Sequence, residues 1–327
     1  MAKIFFKGAS LKFFVLIISI LSFSVMASDC KHVPTRFEDH RIYVEATIKG
    51  NKVSFYTDSG GGYYPFVYFG DLDKLEMKIE IKKKHEVLAG FSTFPAELKK
   101  QNIPLQKNWK KNVKVFKVKD SPEDEISFIK QIFGGEGFFG ATFFAGHVWS
   151  FNYPAKELSF CKNYGDLKGY VEMPIFFKES GKTRNTEQPR MEMEVAGEKY
   201  PMLFDTGATS LYSPEALKII NKTGPVSSSF IRSSVASRWK KAHPKWRVIS
   251  KGDRIGGGMD LIEVPEVSLA GLKVGPVWFA VRKDSIYDEY SRDIMDSNID
   301  GAVGGNVFKW FRIVADYPGA KLYFRKP

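Results

Sequence analysis

Polar and apolar positions alternate along much of this chain with the two-residue period of strands that bury one face. Arg41–Ile48 alternates up to a Lys49-Gly50-Asn51-Lys52 turn, and residues 191–195 do the same before Ala196-Gly197-Glu198, so each predicts a hairpin. The second strand of one hairpin ends in Asp58-Ser59-Gly60, and that of the other in Asp205-Thr206-Gly207. Residues 148–160 and 312–324 predict two further hairpins, turning at Asn152-Tyr153-Pro154 and Asp316-Tyr317-Pro318. Residues 261–283 read as paired strands with turns at Gly271 and Gly275. Helical periodicity is confined to Pro214–Ile220 and 126–133. The pattern predicts an all-β protein.

The same parts recur in the same order in both halves. Lys52-Val53-Ser54-Phe55-Tyr56-Thr57 leads into the first Asp triplet as Lys199-Tyr200-Pro201-Met202-Leu203-Phe204 leads into the second. Downstream, Gly137-Phe138-Phe139-Gly140 matches Gly301-Ala302-Val303-Gly304, and each runs on without a gap to its Tyr-Pro turn. This is an internal duplication with a boundary near 164–169, which predicts two similar lobes over 28–165 and 166–327.

Composition narrows the class further. With 327 residues, 43% hydrophobic and 26% charged, the chain is too apolar for disorder and too long for a disulfide-stapled miniprotein. Lys3, Lys7 and Lys12 precede an apolar run over 13–23, and Val25-Met26-Ala27 supplies small residues for cleavage after Ala27. Residues 1–27 are therefore expected to be a signal peptide, since the run falls short of the roughly 20 residues of a spanning helix. An exported protein, periplasmic or secreted, with no stable membrane insertion after signal removal, is the consequence. Losing three lysines lowers the formal net charge from +12 to +9, a weak basic bias that names no partner. Cys30 and Cys161 are the two cysteines, and in an oxidising compartment they are expected to pair.

The paired triplets carry the chemistry. One Asp-Ser/Thr-Gly is a weak signal, but two at matching places in a duplicated chain are specific. These residues resemble the aspartic peptidases of the pepsin and retropepsin group, most closely bacterial retropepsin-like domains, here duplicated in one chain. The resemblance covers nearly all of the mature chain. It implies two lobes of acid-protease β-barrel type with an active-site cleft between them. By the same carry-over Asp58 and Asp205 are the catalytic pair. Ser59, Gly60, Thr206 and Gly207 are the loop residues that hold the pair, with Gly140 and Gly304 in the strands passing behind. Two carboxyls about 3 Å apart share one proton, so one member activates a water while the other donates to the scissile carbonyl. The expected partner is a polypeptide substrate; no cofactor and no metal are expected. Both aspartates lie in one chain, so a monomer suffices. Where many pepsin-like enzymes have Ser or Thr after each triplet, this chain has Gly61 and Ala208, which should raise the pair's pKa values and suit a neutral optimum. Phe138 and Phe139 are bulky for their position. The alternative reading keeps the fold and loses catalysis, leaving a peptide-binding or envelope-interaction protein.

Other signals are weaker. Gly135-x-Gly137-x-x-Gly140 has dinucleotide-fingerprint spacing, but its duplicate at 300–305 lacks the pattern, so it reads as chance. His32, His40, His85, His147 and His243 show no ligand spacing, and no Gly-x-Ser-x-Gly elbow is present. The basic run 238–247, with Trp239 and Trp246, reads first as a solvated surface and second as a cleft-covering segment whose tryptophans touch substrate; nucleic acid is not expected in an exported protein. Lys-rich stretches at 82–85 and 107–114 read as solvated faces, and Asn221-Lys222-Thr223 is a glycosylation sequon.

Overall fold

The computed structural model describes residues 28–62, 66–68, 78–82, 85–89, 93–104, 114–116, 131–255 and 257–327. The signal peptide expected over 1–27 lies outside the described residues, as do residues 126–130 of one expected helix, Lys83, Lys84 and residues 107–113. Residues 131–133 are helical.

The chain is all-β in two similar lobes. The expected hairpins form because both turns take a left-handed pair of residues, Lys49-Gly50 (φ 47° and 81°) and Ala196-Gly197 (φ 51° and 83°). Such two-residue turns match the twist of antiparallel strands. Ile48 then faces Asn51 and Val195 faces Glu198 in register. Strand Asn51–Thr57 runs parallel to Gly137–Phe139, aligning Thr57 with Phe139, and strand Glu198–Phe204 runs parallel to Gly301–Val303, aligning Phe204 with Val303. Each short glycine-led strand is flanked on its other side by an antiparallel strand, Phe66–Tyr68 in the first lobe and Ser229–Arg232 in the second. Seven strands follow this common order within sheets of eight and nine strands. The duplication read in the sequence is thus a duplication of sheet topology.

A third sheet of six strands joins the halves. Its central pairing is antiparallel, Val148–Asn152 against Arg312–Asp316, between the two Tyr-Pro hairpins. Trp149, Phe151, Phe204, Phe308 and Tyr317 are fully buried in one core cluster that spans both halves. At one edge of this sheet Cys30 stands opposite Cys161 in register, and the two form a disulfide. The bond closes a loop across 131 residues, so it restricts the unfolded chain strongly. Replacing both cysteines by serine is expected to cost about 3 kcal/mol of stability. Urea unfolding without reductant checks this, and an unchanged midpoint would mean that main-chain pairing alone holds strand Asp29–Val33.

Among the described residues, no helix is long and apolar enough to cross a membrane. Pro214–Ile220 is a helix, capped by the Ser213 side chain, which accepts from the Ala216 N–H. Among the described residues, three helices of eight or more residues also form without a visible sequence signal: Thr93–Lys100, Ser233–Ala242 and Asp284–Asp293. The last buries only Tyr287, too little apolar surface to set a period. Ser233–Ala242 corrects the reading of the basic run as a cleft cover. Trp239 is 3% exposed, packs edge-on against Tyr200 and Phe279, and donates from Nε1 to the Tyr200 hydroxyl. Trp246 stacks on His243, with ring centroids 4.1 Å apart. Both tryptophans anchor the helix to its own lobe, and the basic residues follow the opposite face, with Lys240 ion-paired to Asp260.

Candidate active site

Each aspartate sits one residue beyond the end of a buried strand. The Asp58 N–H donates to the Phe139 carbonyl at 2.9 Å, and the Asp205 N–H to the Val303 carbonyl at 3.0 Å. The parallel strands therefore aim both loops at the same place, between the lobes. There the loops hold each other. The Ser59 N–H donates to Thr206 Oγ1 at 3.1 Å, the Thr206 N–H donates to Ser59 Oγ at 2.9 Å, and the Ser59 hydroxyl donates to the Phe204 carbonyl at 2.8 Å. Ser59 and Thr206 are almost completely buried, so each of these bonds forms away from competing water.

The two carboxyls meet at the centre and are hydrogen-bonded to one another. Each is also gripped by its own loop: the Gly60 N–H donates to Asp58 Oδ1 at 2.8 Å, and the Gly207 N–H to Asp205 Oδ1 at 2.9 Å. Asp58 and Asp205 are each 8% exposed. Burial raises the proton affinity of both carboxyls, and the charge of Asp58 raises that of Asp205 further, well above the usual carboxylate range. The pair therefore keeps a proton to higher pH than an ordinary carboxyl does. Burial, rather than the missing hydroxyls at Gly61 and Ala208, is the leading cause of the upward shift.

The glycines are demanded by close approach. A Cβ on Gly60 would lie 2.7 Å from Asp205 Cγ, and one on Gly207 would lie 2.3 Å from Asp58 Cγ, so each triplet glycine faces the other lobe's carboxyl. Behind them, a Cβ on Gly140 would lie 1.6 Å from the Gly62 carbonyl oxygen, and one on Gly304 would lie 1.9 Å from that of Ser228. A Cβ on Gly61 would fall between Asp58 Oδ2, at 2.6 Å, and Phe138 Cζ, at 2.7 Å. The bulk of Phe138 is thus matched by the missing side chain at Gly61. Phe138 packs with Tyr43, Tyr56 and Phe133, while Phe139 is stacked between Phe55 and Phe143.

All eight loop and strand residues singled out in the sequence converge here; Cys30 and Cys161 lie apart, in the shared sheet. Three residues escaped sequence reading. Tyr56 is fully buried; its hydroxyl donates to the Gly207 carbonyl and bonds Thr209 Oγ1 at 2.7 Å. The Tyr290 hydroxyl donates to the Gly60 carbonyl at 3.3 Å, and Gln188 Nε2 donates to the Gly61 carbonyl at 3.0 Å. Tyr56 had one signal, a hydroxyl opposite Leu203 in the repeat, whereas Tyr290 and Gln188 lie in segments with no matched partner. Among the described residues, no three His, Cys, Asp or Glu side chains gather as a metal site requires.

No family model matches the chain, and no curated protein matches it. Among solved structures, the crystal structure of an aspartic proteinase from Irpex lacteus is similar at 10% sequence identity, covering 91% of this chain and 97% of that chain with a TM-score of 0.42. So distant a likeness carries no functional argument, and the two-lobed all-β fold stands on the duplicated sheets themselves.

Proposed function

We propose that this chain is an exported aspartic endopeptidase, with lobes over 28–165 and 166–327 and a polypeptide as its substrate. One observation carries the reading: two carboxyls, delivered by equivalent loops of a duplicated fold, are hydrogen-bonded to each other and share a raised proton affinity. In the monoprotonated pair of Asp58 and Asp205, the ionised member takes a proton from a water molecule while the protonated member donates to the carbonyl oxygen of the scissile bond. The water oxygen bonds to the carbonyl carbon. The C–N bond then breaks as a proton passes to the leaving nitrogen, and the pair returns to one shared proton. No metal, cofactor or covalent intermediate enters. Export rests on the signal-like segment at 1–27 and agrees with a disulfide, which persists in oxidising compartments. One chain supplies both aspartates, so a monomer is sufficient.

The test incubates the protein from Ser28 onward with a diverse peptide mixture from mildly acidic to neutral pH, with products read by mass spectrometry. Cleavage lost in Asp58→Asn and in Asp205→Asn alike supports a shared pair. Folded wild-type protein that cleaves nothing at any pH overturns the reading in favour of a peptide-binding module.

A further inference from the structure

Two tyrosine hydroxyls cross between the halves to the same atom of each loop. Tyr56, from the first half, donates to the carbonyl of Gly207; Tyr290, from the second, donates to the carbonyl of Gly60. These tyrosines are not equivalent in the repeat. The position matching Tyr56 is Leu203, and Tyr290 lies in helix Asp284–Asp293. Different elements thus supply the same contact twice, which a shared ancestry of the halves does not account for.

The carbonyls they reach belong to informative peptide units. The Gly207 carbonyl shares its peptide with the Ala208 N–H, and the Gly60 carbonyl shares its peptide with the Gly61 N–H. The Ala208 N–H lies 3.3 Å from the Asp205 main-chain oxygen and the Gly61 N–H 3.4 Å from that of Asp58. Each also faces its loop's carboxyl and favours the ionised form. A hydroxyl donating to a peptide oxygen polarises that peptide and strengthens its N–H as a donor. The same two glycines let the carboxyls approach, because each one's Cα faces the opposite carboxyl at a distance that leaves no room for a Cβ. Gly61 and Ala208 bring no hydroxyl of their own to the carboxyls.

We propose that Tyr56 and Tyr290 are positioning residues of the carboxyl pair, each fixing a glycine of the opposite half's loop and polarising the peptide N–H that faces Asp205 or Asp58. The inference rests on the endopeptidase reading for its consequence in catalysis, but its physical content is a property of the pair itself. Other ionisable groups facing the carboxyls are the phenols of Tyr153, Tyr287 and Tyr317, all raised by burial and so neutral through the working range. Beyond them, Arg184 and Glu187 face Tyr317, Arg232 and Arg282 face Tyr287, and Tyr43 faces Tyr56.

Tyr56→Phe and Tyr290→Phe test this with the ring kept in place. The primary readout is the titration of the aspartate carboxyl carbons by NMR in 13C-labelled protein, which needs no cleavage. Weakening the Ala208 donor in Tyr56→Phe, or the Gly61 donor in Tyr290→Phe, should raise the apparent pKa values of the pair. Cleavage assays should show kcat reduced about three- to tenfold with KM unchanged, less than losing a direct oxyanion donor costs. The pH profile of each variant should move to higher pH. Titration curves that superimpose on wild type in both folded variants overturn the proposal, whatever the enzyme does. If wild type cleaves nothing but the titrations move as stated, the endopeptidase reading fails and the positioning role stands.

Discussion

Asp205→Asn is expected to abolish cleavage and, at neutral pH, to raise the melting temperature. Loss of one carboxyl breaks the proton-sharing pair that activates the water and polarises the scissile carbonyl, for a fall in kcat/KM of about 1,000-fold or more. The stability change runs the other way because the site is strained electrostatically. Asp205 binds its proton more tightly in the folded chain than in the unfolded one. Its contribution is therefore most favourable at low pH and is lost as pH rises from the usual carboxylate range through the raised folded value. Asparagine has the same shape, never ionises, and can still donate to Asp58. The variant should melt with wild type in acid and several degrees above it at neutral pH, a gap that widens as pH rises. A melting temperature below wild type at neutral pH would mean that the carboxyl pair costs the fold nothing.

Gly207→Ala should force the two aspartate loops apart with a single methyl. The new Cβ would lie 2.3 Å from Asp58 Cγ, 2.5 Å from its Cβ and 2.8 Å from its Cα, so no side-chain rotation relieves it and the loops must part. Parting them stretches the reciprocal Ser59–Thr206 bonds, both buried. We expect a loss of about 4 kcal/mol in stability, at the high end for overpacking. Cleavage should fall by about 1,000-fold or more, because the carboxyls no longer share a proton at contact distance. Gly62→Ala is the control from the neighbouring glycine run. A Cβ there meets nothing within 4 Å, so its stability should stay within about 0.5 kcal/mol of wild type. Equal losses from both variants would show that chain flexibility, rather than the approach of the carboxyls, explains the glycine.

The site was legible in the sequence because it is duplicated and local. Asp58-Ser59-Gly60 and Asp205-Thr206-Gly207 each follow an apolar strand, and strand period and turn residues set those elements without help from distant parts of the chain. Gly140 and Gly304 were legible by alignment of the halves. Trp239 was misread because charge dominates its local segment, while its burial depends on Tyr200 and Phe279, far away in sequence. Tyr290 and Gln188 were invisible for the same reason: each makes its contact across the interface between halves, where no local pattern reaches. Phe138 looked out of place until Gly61 was seen beside it, a compensation between residues 77 positions apart that no spacing rule encodes.

The six-stranded sheet also sets an order of events in biosynthesis. The first half completes three neighbouring strands, Asp29–Val33, Glu157–Asn163 and Val148–Asn152, and the disulfide joins the first two. Val148–Asn152 remains an open edge until Arg312–Asp316 arrives, some 160 residues later in synthesis. Its sequence, Val-Trp-Ser-Phe-Asn, carries three apolar residues and lacks the charges and prolines that discourage edge-to-edge association. A stalled or nicked chain ending before residue 312 would present that edge to other copies. Truncated products should accordingly be found in aggregates, and strand Arg312–Asp316 acts as the cap that makes the nascent protein safe.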